Sequence, residues 1–196
     1  VLFFDELPHF SKSTLEALRE PLQDNKILIS RVNTKVNYNT KFTFISAMNP
    51  CPCGNLLSSL KECRCNEAEI QRYKNRLSDP FLDRIDLIVI MNDSFKDNKN
   101  IVSSEELHDT VIKAFIKQKK RGQSELNGKL NDNEIKKYCK LDNESEEILQ
   151  KAVTNFQLSF RSINKVLKVA RTIADINDNE KITKSDLLKS LNFRKR

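Results

Sequence analysis

The chain has 196 residues, 38% of them apolar and 31% charged, with a formal net charge of +7 and three glycines. That composition suits one medium globular domain or two small ones with a modest core. The longest apolar runs, Leu2–Phe4 and Leu87–Met91, fall far short of the roughly 20 residues that cross a bilayer, so no membrane segment is expected.

The charge is uneven: residues 1–92 carry +1 and residues 93–196 carry +6. The basic surplus is diffuse and ends in Arg194-Lys195-Arg196. It suits nucleic acid and a plain solvated surface equally.

In chain order, Val1–Phe4 reads as a buried parallel strand that delivers Asp5 and Glu6 at its C-terminal end. A helix follows, with Ser13 and Glu16 as a capping box and Leu15, Leu18 and Leu22 on one face. Ile27–Val32 and Val36–Phe42 flank a polar turn at Asn33-Thr34 and predict a β-hairpin. Phe42–Met48 predicts a second buried strand, ending at Asn49-Pro50. The cysteine-rich segment Cys51–Cys65 is irregular, Glu67–Leu77 predicts a helix, and Leu87–Met91 another short buried strand. The polar stretch Asn92–Asn100 reads as a linker.

Beyond it only helices are expected. Ser103 and Glu106 cap one that carries Leu107, Val111 and Phe115. Others fit Glu134–Cys139, Glu144–Phe156, Phe160–Ile176 and Lys184–Leu191. The fold expected is therefore α/β over residues 1–92, a linker over 93–100, and an all-α domain over 101–196.

Four features carry chemistry. Phosphoryl transfer to water needs Mg²⁺ on the phosphates and a group that orients the attacking water. Asp5 can hold the metal shell and Glu6 can polarise the water, although an acidic pair after a strand is also common on surfaces. Asn49, at the end of the second strand, can place an amide beside those carboxylates if the two strands are neighbours. A lone Asn before Pro is equally an ordinary turn residue. In the run Arg76–Asp86, Arg84 stands just before an apolar segment. There it could stabilise transition-state charge on a neighbouring subunit's nucleotide, or pair locally with Asp83 or Asp86. Arg161 opens the helix whose core stripe is Ile163, Val166, Leu167, Ala170 and Ala174. It shares a face with Lys165 and Lys168 that reads equally as a solvated surface.

Together, acid pair, amide, arginine and first-turn arginine stand in the order of a AAA+ module. The runs DELPHFSKSTLEALREPL, SAMNPCPCG, RYKNRLSDPFLDRIDL and VLKVARTIADI resemble the ComM/YifB family of magnesium-chelatase-like AAA+ ATPases over nearly the whole chain. The resemblance implies Asp5 and Glu6 as Walker B, Asn49 as sensor 1, Arg84 as arginine finger and Arg161 as sensor 2. The helical domain becomes the ATPase lid. It implies ATP and Mg²⁺ as cofactors, a cytoplasmic ring (a hexamer) as the assembly, and DNA branch migration in natural transformation as the activity. It sets the hairpin 27–42 toward the ring channel, with Arg31 and Lys35 as DNA contacts.

No G-x-x-x-x-G-K-[ST] phosphate loop occurs in the 196 residues, and the chain opens on Val1. Upstream sequence carrying that loop is expected, and the chain alone is not expected to turn over ATP. The alternatives are a magnesium-chelatase motor subunit and a non-catalytic, zinc-stabilised nucleic-acid-binding module.

Cys51-Pro52-Cys53 and Cys63-Arg64-Cys65 form two close pairs. Four thiolates gathered by one loop suit tetrahedral Zn²⁺. Four free thiols are the rival. Two disulfides are disfavoured in a cytosolic motor. Cys139 reads as a packing residue within a helix, and His9 and His108 as surface residues.

Overall fold

The structure, a computed structural model, describes residues 1–32, 34–91 and 102–194, which fall into two compact units. One holds Val1–Ile85 with residues 90–91, and the other holds Asp86–Val89 with residues 102–194. The expected linker 93–100 lies outside the described residues.

In the first unit, β1 (Leu2–Phe4) pairs in parallel with β4 (Phe44–Ser46), Leu2 opposite Phe44 and Phe4 opposite Ser46. Successive strand residues face opposite ways. Leu2, Phe4 and Phe44 are half-buried on one face, while Phe3 and Ile45 stand 58% and 48% exposed on the other. Between these strands lie α1 (Lys12–Ala17), α2 (Arg19–Asp24) and a hairpin of β2 (Lys26–Arg31) and β3 (Thr34–Asn39). After β4 come the cysteine loop, α3 (Glu67–Lys74) and α4 (Asp79–Leu82). Leu7, Leu15, Leu77 and Phe81 form the core, with Phe4, Leu18, Leu22 and Phe44 packed on it.

Four expectations for residues 1–92 need correction. The N-cap of α1 is Ser11, whose hydroxyl accepts from the Thr14 amide, not Ser13. The helix breaks at Leu18 because Pro21 has no N–H for the Ala17 carbonyl and its ring crowds that carbonyl. The hairpin comes earlier than expected, β2 by one residue and β3 starting two and ending three residues sooner, so that Thr34 already pairs with Arg31. Leu87–Met91 is not a strand. The described parallel sheet has two strands, so this apolar run finds no ladder, and Leu87, Val89, Ile90 and Met91 remain exposed. Ile88 instead donates its amide to the Phe193 carbonyl in the helical unit.

The helical unit comprises, among the described residues, α5 (Ser104–Lys120), α6 (Asp132–Tyr138), α7 (Asn143–Phe156), α8 (Phe160–Ile176) and α9 (Lys184–Asn192). The Ser103–Glu106 capping box opens α5 as its sequence dictates. Val166, Ala170 and Ala174 of α8 are fully buried against Ile135, Ile182 and Leu187. Cys139 is buried in that core, but it caps α6 rather than lying within it. Burial pushes its thiol up to about 11.

Candidate active site and metal centre

The parallel pairing of β1 and β4 decides where the polar residues emerge. The ladder continues past the strands: the Ala47 amide donates to the Phe4 carbonyl, and the Leu7 amide to the Ala47 carbonyl. Asp5, Glu6 and Asn49 therefore follow two adjacent strands that end on the same edge, and all three are exposed. Glu6 is in the left-handed region at φ 50°, a conformation that costs a residue with a Cβ about 1 kcal/mol or more. Its amide is held by the Asp5 carboxylate at 2.9 Å. Strain of this kind persists only where its surroundings enforce it. Here the Leu7–Ala47 bond and the buried Leu7-Pro8 step that follows do so.

Tyr73 was not singled out from the sequence. It sits on α3, 6% exposed, with the His9 ring edge-on at 6.4 Å. The phenol's pKa is raised, chiefly by burial. The nearby main chain of Asn49 pulls the other way, while the Glu6 charge adds to the rise. A single aromatic on an otherwise polar helix was the only signal available, and the RYKNRLSDPFLDRIDL run does not mark it further. Arg76, one turn on, donates to the Pro8 carbonyl at 3.2 Å. Thus the segment that follows α3 is tied to the chain just after Glu6.

The four loop cysteines come together. Cys51 Sγ lies 3.4 Å from Cys53 Sγ and 3.7 Å from Cys63 Sγ, and Cys53 lies 3.6 Å from Cys63. With Cys65, all four sulfurs fall within 4.8 Å of one another. These separations exclude disulfides, whose sulfurs sit about 2.05 Å apart, and all four thiols are free. Four sulfurs at about 2.3 Å from a central Zn²⁺ have tetrahedral edges of about 3.8 Å, so the spacing fits that ion. The tight turn that brings Cys53 back beside Cys51 closes with the Gly54 amide on the Cys51 carbonyl, and Gly54 sits at φ +80°. Glycine adopts that angle freely. A Cβ there would also sit 3.9 Å from the Asn49 side chain, so the cysteine loop runs close to the Asn49 amide.

Thiol acidity is graded across the cluster. Main-chain amides of Asn55 and Arg64 bring Cys53 down to about 6. Burial takes Cys65 up to about 12. Of these two, Cys53 gives up its proton first.

Arg84 follows α4 and turns its guanidinium onto its own unit. It donates to the Arg19 carbonyl at 3.1 Å, to Gln23 Oε1 at 2.7 Å, and to the Pro80 carbonyl. In the hairpin, directly paired residues share a face. Arg31, opposite Thr34, lies on the Ile29–Val36 face, and Lys35, opposite Ser30, lies on the other. Both are exposed near the turn, but they do not form one patch.

In the helical unit Arg161 is exposed in the first turn of α8. The face it shares is not uniformly solvated: the Lys165 side chain is only 15% exposed and pairs with Asp86. Burial depresses the pKa of Lys165 and Lys168, with Asp86 opposing in both cases.

Residues 1–99 match the family described as magnesium chelatase, subunit ChlI, and residues 102–194 match its ChlI C-terminal family. The chain belongs to the magnesium-chelatase-like AAA+ family. Within it, the chain is 40% identical to Escherichia coli YifB over 199 residues. It is 37% identical to the competence protein ComM of Haemophilus influenzae over 199 residues, and 38% identical to Salmonella typhimurium YifB over 202. Each alignment covers 99% of this chain but only 38–39% of the relative, so the chain spans about two fifths of the length of the relatives it matches.

Proposed function

We propose that this chain is part of an ATP-driven AAA+ ring motor that acts on DNA. The observation that carries the proposal is the emergence of Asp5, Glu6 and Asn49 from neighbouring parallel strands at one edge. In a protein carrying a phosphate loop, Asp5 orders the hydration shell of Mg²⁺, Glu6 orients the attacking water, and Asn49 hydrogen-bonds that water or the γ-phosphate. The strained turn at Glu6 supports a functional role for that residue. The exposed face carrying Phe3 and Ile45 is one that helices of such a core would cover.

Arg84 acts in this reading on the nucleotide of the adjacent subunit of a hexameric ring, exchanging its bonds to Arg19, Gln23 and Pro80 for phosphate oxygens. The helical unit is the lid and Arg161 its sensor. The hairpin presents Arg31 and Lys35 to DNA from its two faces. The name carried by the Haemophilus relative, competence protein, supports branch migration during transformation over metal insertion by a chelatase motor. We further propose that Cys51, Cys53, Cys63 and Cys65 hold one structural Zn²⁺ in a cytoplasmic setting that keeps thiols reduced.

The deciding experiment compares ATP turnover by the full-length protein and by its Glu6→Gln variant. Turnover is expected to disappear in the variant while nucleotide binding remains. Unchanged turnover would sink the reading.

A further inference from the structure

Of the 17 residues of α5, only Ala114 and Gln118 are buried. Leu107, Val111, Ile112, Phe115 and Ile116 are 40–63% exposed. Residues four apart on a helix lie one above another. These five therefore form two neighbouring rows, Leu107–Val111–Phe115 and Ile112–Ile116. A continuous apolar stripe of this kind marks a surface that something covers.

The charges along α5 indicate what covers it. Its acids, Glu105, Glu106 and Asp109, all stand in the first two turns, and its lysines, Lys113, Lys117, Lys119 and Lys120, all follow. That order suits the helix's own dipole. It is also self-complementary: a second α5 running antiparallel sets acids against lysines. A two-fold axis level with Ala114 puts Ile112 at the height of the partner's Ile116, and Asp109 at the height of the partner's Lys119 with the partner's Lys120 beside it. Val111 comes level with the partner's Lys117, where Phe115, Lys119 and Leu126 line a cavity of about 120 Å³. Glu105, Asp109, Lys119 and Lys120 are all exposed.

We infer that this face is an isologous contact between two copies of the chain, α5 against α5, antiparallel. Such a contact is its own complement and closes at two copies, whereas successive contacts around a ring are heterologous. The α5 contact therefore joins two rings, or two free chains. It does not depend on the roles proposed above for the ATPase residues.

The test uses the full-length protein. A carbodiimide joins a carboxylate to a lysine only where the two touch. In a mixture of isotope-labelled and unlabelled copies it should give links from Asp109 to Lys119 or Lys120 that carry both labels. Sedimentation then compares wild type with Glu105→Lys/Asp109→Lys, with Lys119→Glu/Lys120→Glu, and with the two variants mixed. Like charges meet in each variant alone, so each should sediment at half the wild-type mass. Mixing them sets a basic helix against an acidic one and should restore that mass. Ile112→Ser, which leaves every charge in place, should also halve it. Equal masses for wild type and all variants overturn the inference, as does a failure of the mixture to recover when circular dichroism shows both variants folded. If Ile112→Ser lowers the melting temperature and leaves the mass unchanged, the face is covered within one chain and the inference is wrong.

Discussion

In the helical unit, Arg171 and Asp175 are 1% and 2% exposed, and both are fully engaged. Arg171 donates to Asp175 and to the carbonyls of Asn179 and Glu180, while Asp175 also receives Arg121 and Asn127. In the α/β unit, Asp5, Glu6 and Asn49 stand exposed, and Asp5 spends one oxygen on its neighbour's amide. The first arrangement is what a buried charge needs in order to exist at all. The second leaves polar groups available to something that is not the protein. On the roles proposed above, the two units separate charge used as architecture from charge used as chemistry. The arginines show the same contrast: Arg171 is locked by burial, while Arg84 is half-exposed and held by carbonyls and one amide that a phosphate can replace.

Removing the buried acid should have the largest effect. Asp175→Ala leaves the buried Arg171 without its carboxylate partner, a situation that costs about 3–5 kcal/mol. Denaturant unfolding followed by helical circular dichroism measures it. A loss under about 1 kcal/mol would place the pair with ordinary surface bridges and erase the contrast between the units. Next comes Arg84→Ala in the full-length protein, on the reading that Arg84 acts across a ring junction. Its turnover should fall about 10³-fold with ATP binding retained, as loss of an arginine finger requires. Mixing Arg84→Ala with Glu6→Gln subunits should restore partial activity, because some junctions then join an intact finger to intact acids. No restoration, with mixed rings demonstrated, contradicts action across the junction.

Much of the helical unit was readable because its signals are local. A capping box at Ser103 and Glu106 and a 3.6-residue apolar stripe on Phe160–Ile176 need only neighbours in sequence. The α/β unit depends on pairing, and there the reading failed in specific ways. The run Leu87–Met91 has the composition of a strand, but a strand exists only with a partner. Arg31 and Lys35 look adjacent in sequence, yet four positions across a hairpin turn put them on opposite faces once the register is known. The gathering of four cysteines followed from spacing. That Gly54 brings the loop close to Asn49, and that Arg76 reaches the Pro8 carbonyl 68 positions away, depends on contacts that no periodicity encodes.

The cysteine loop offers a chemical version of the same comparison. In metal-free chain at neutral pH, Cys53 is largely thiolate, since its amide donors bring it down to about 6, whereas Cys65 and Cys139 remain protonated at about 12 and about 11. Iodoacetamide should therefore label Cys53 at least about tenfold faster than either, because the thiolate is the nucleophile. Mass spectrometry of timed quenches resolves the order. Adding Zn²⁺ should suppress labelling of Cys51, Cys53, Cys63 and Cys65 together. Labelling of all four that is indifferent to zinc would contradict the tetrathiolate site.

The smallest effect tests the architectural side at a single helix end. Asp186 is completely buried at the start of α9. Its carboxylate accepts from the Thr183 amide and hydroxyl and from the side-chain amides of Asn177 and Asn179. Burial alone would raise its pKa, but these four donors outweigh it and hold the group below the usual carboxylate range. A group whose folded pKa is depressed stabilises the fold above its unfolded value, near 3.9, and loses that contribution as pH falls through the folded value. Asp186→Asn keeps the shape, removes the charge and turns an amide toward donors that need an acceptor. At pH 7 it should cost about 1 kcal/mol, the scale of a lost helix cap. The gap between wild type and variant should narrow as pH falls below about 4, where wild-type Asp186 takes up a proton. Urea midpoints at pH 7 and pH 3 give the comparison. A gap that stays constant between them would mean the four bonds act through geometry alone, with no contribution from the ionised carboxylate.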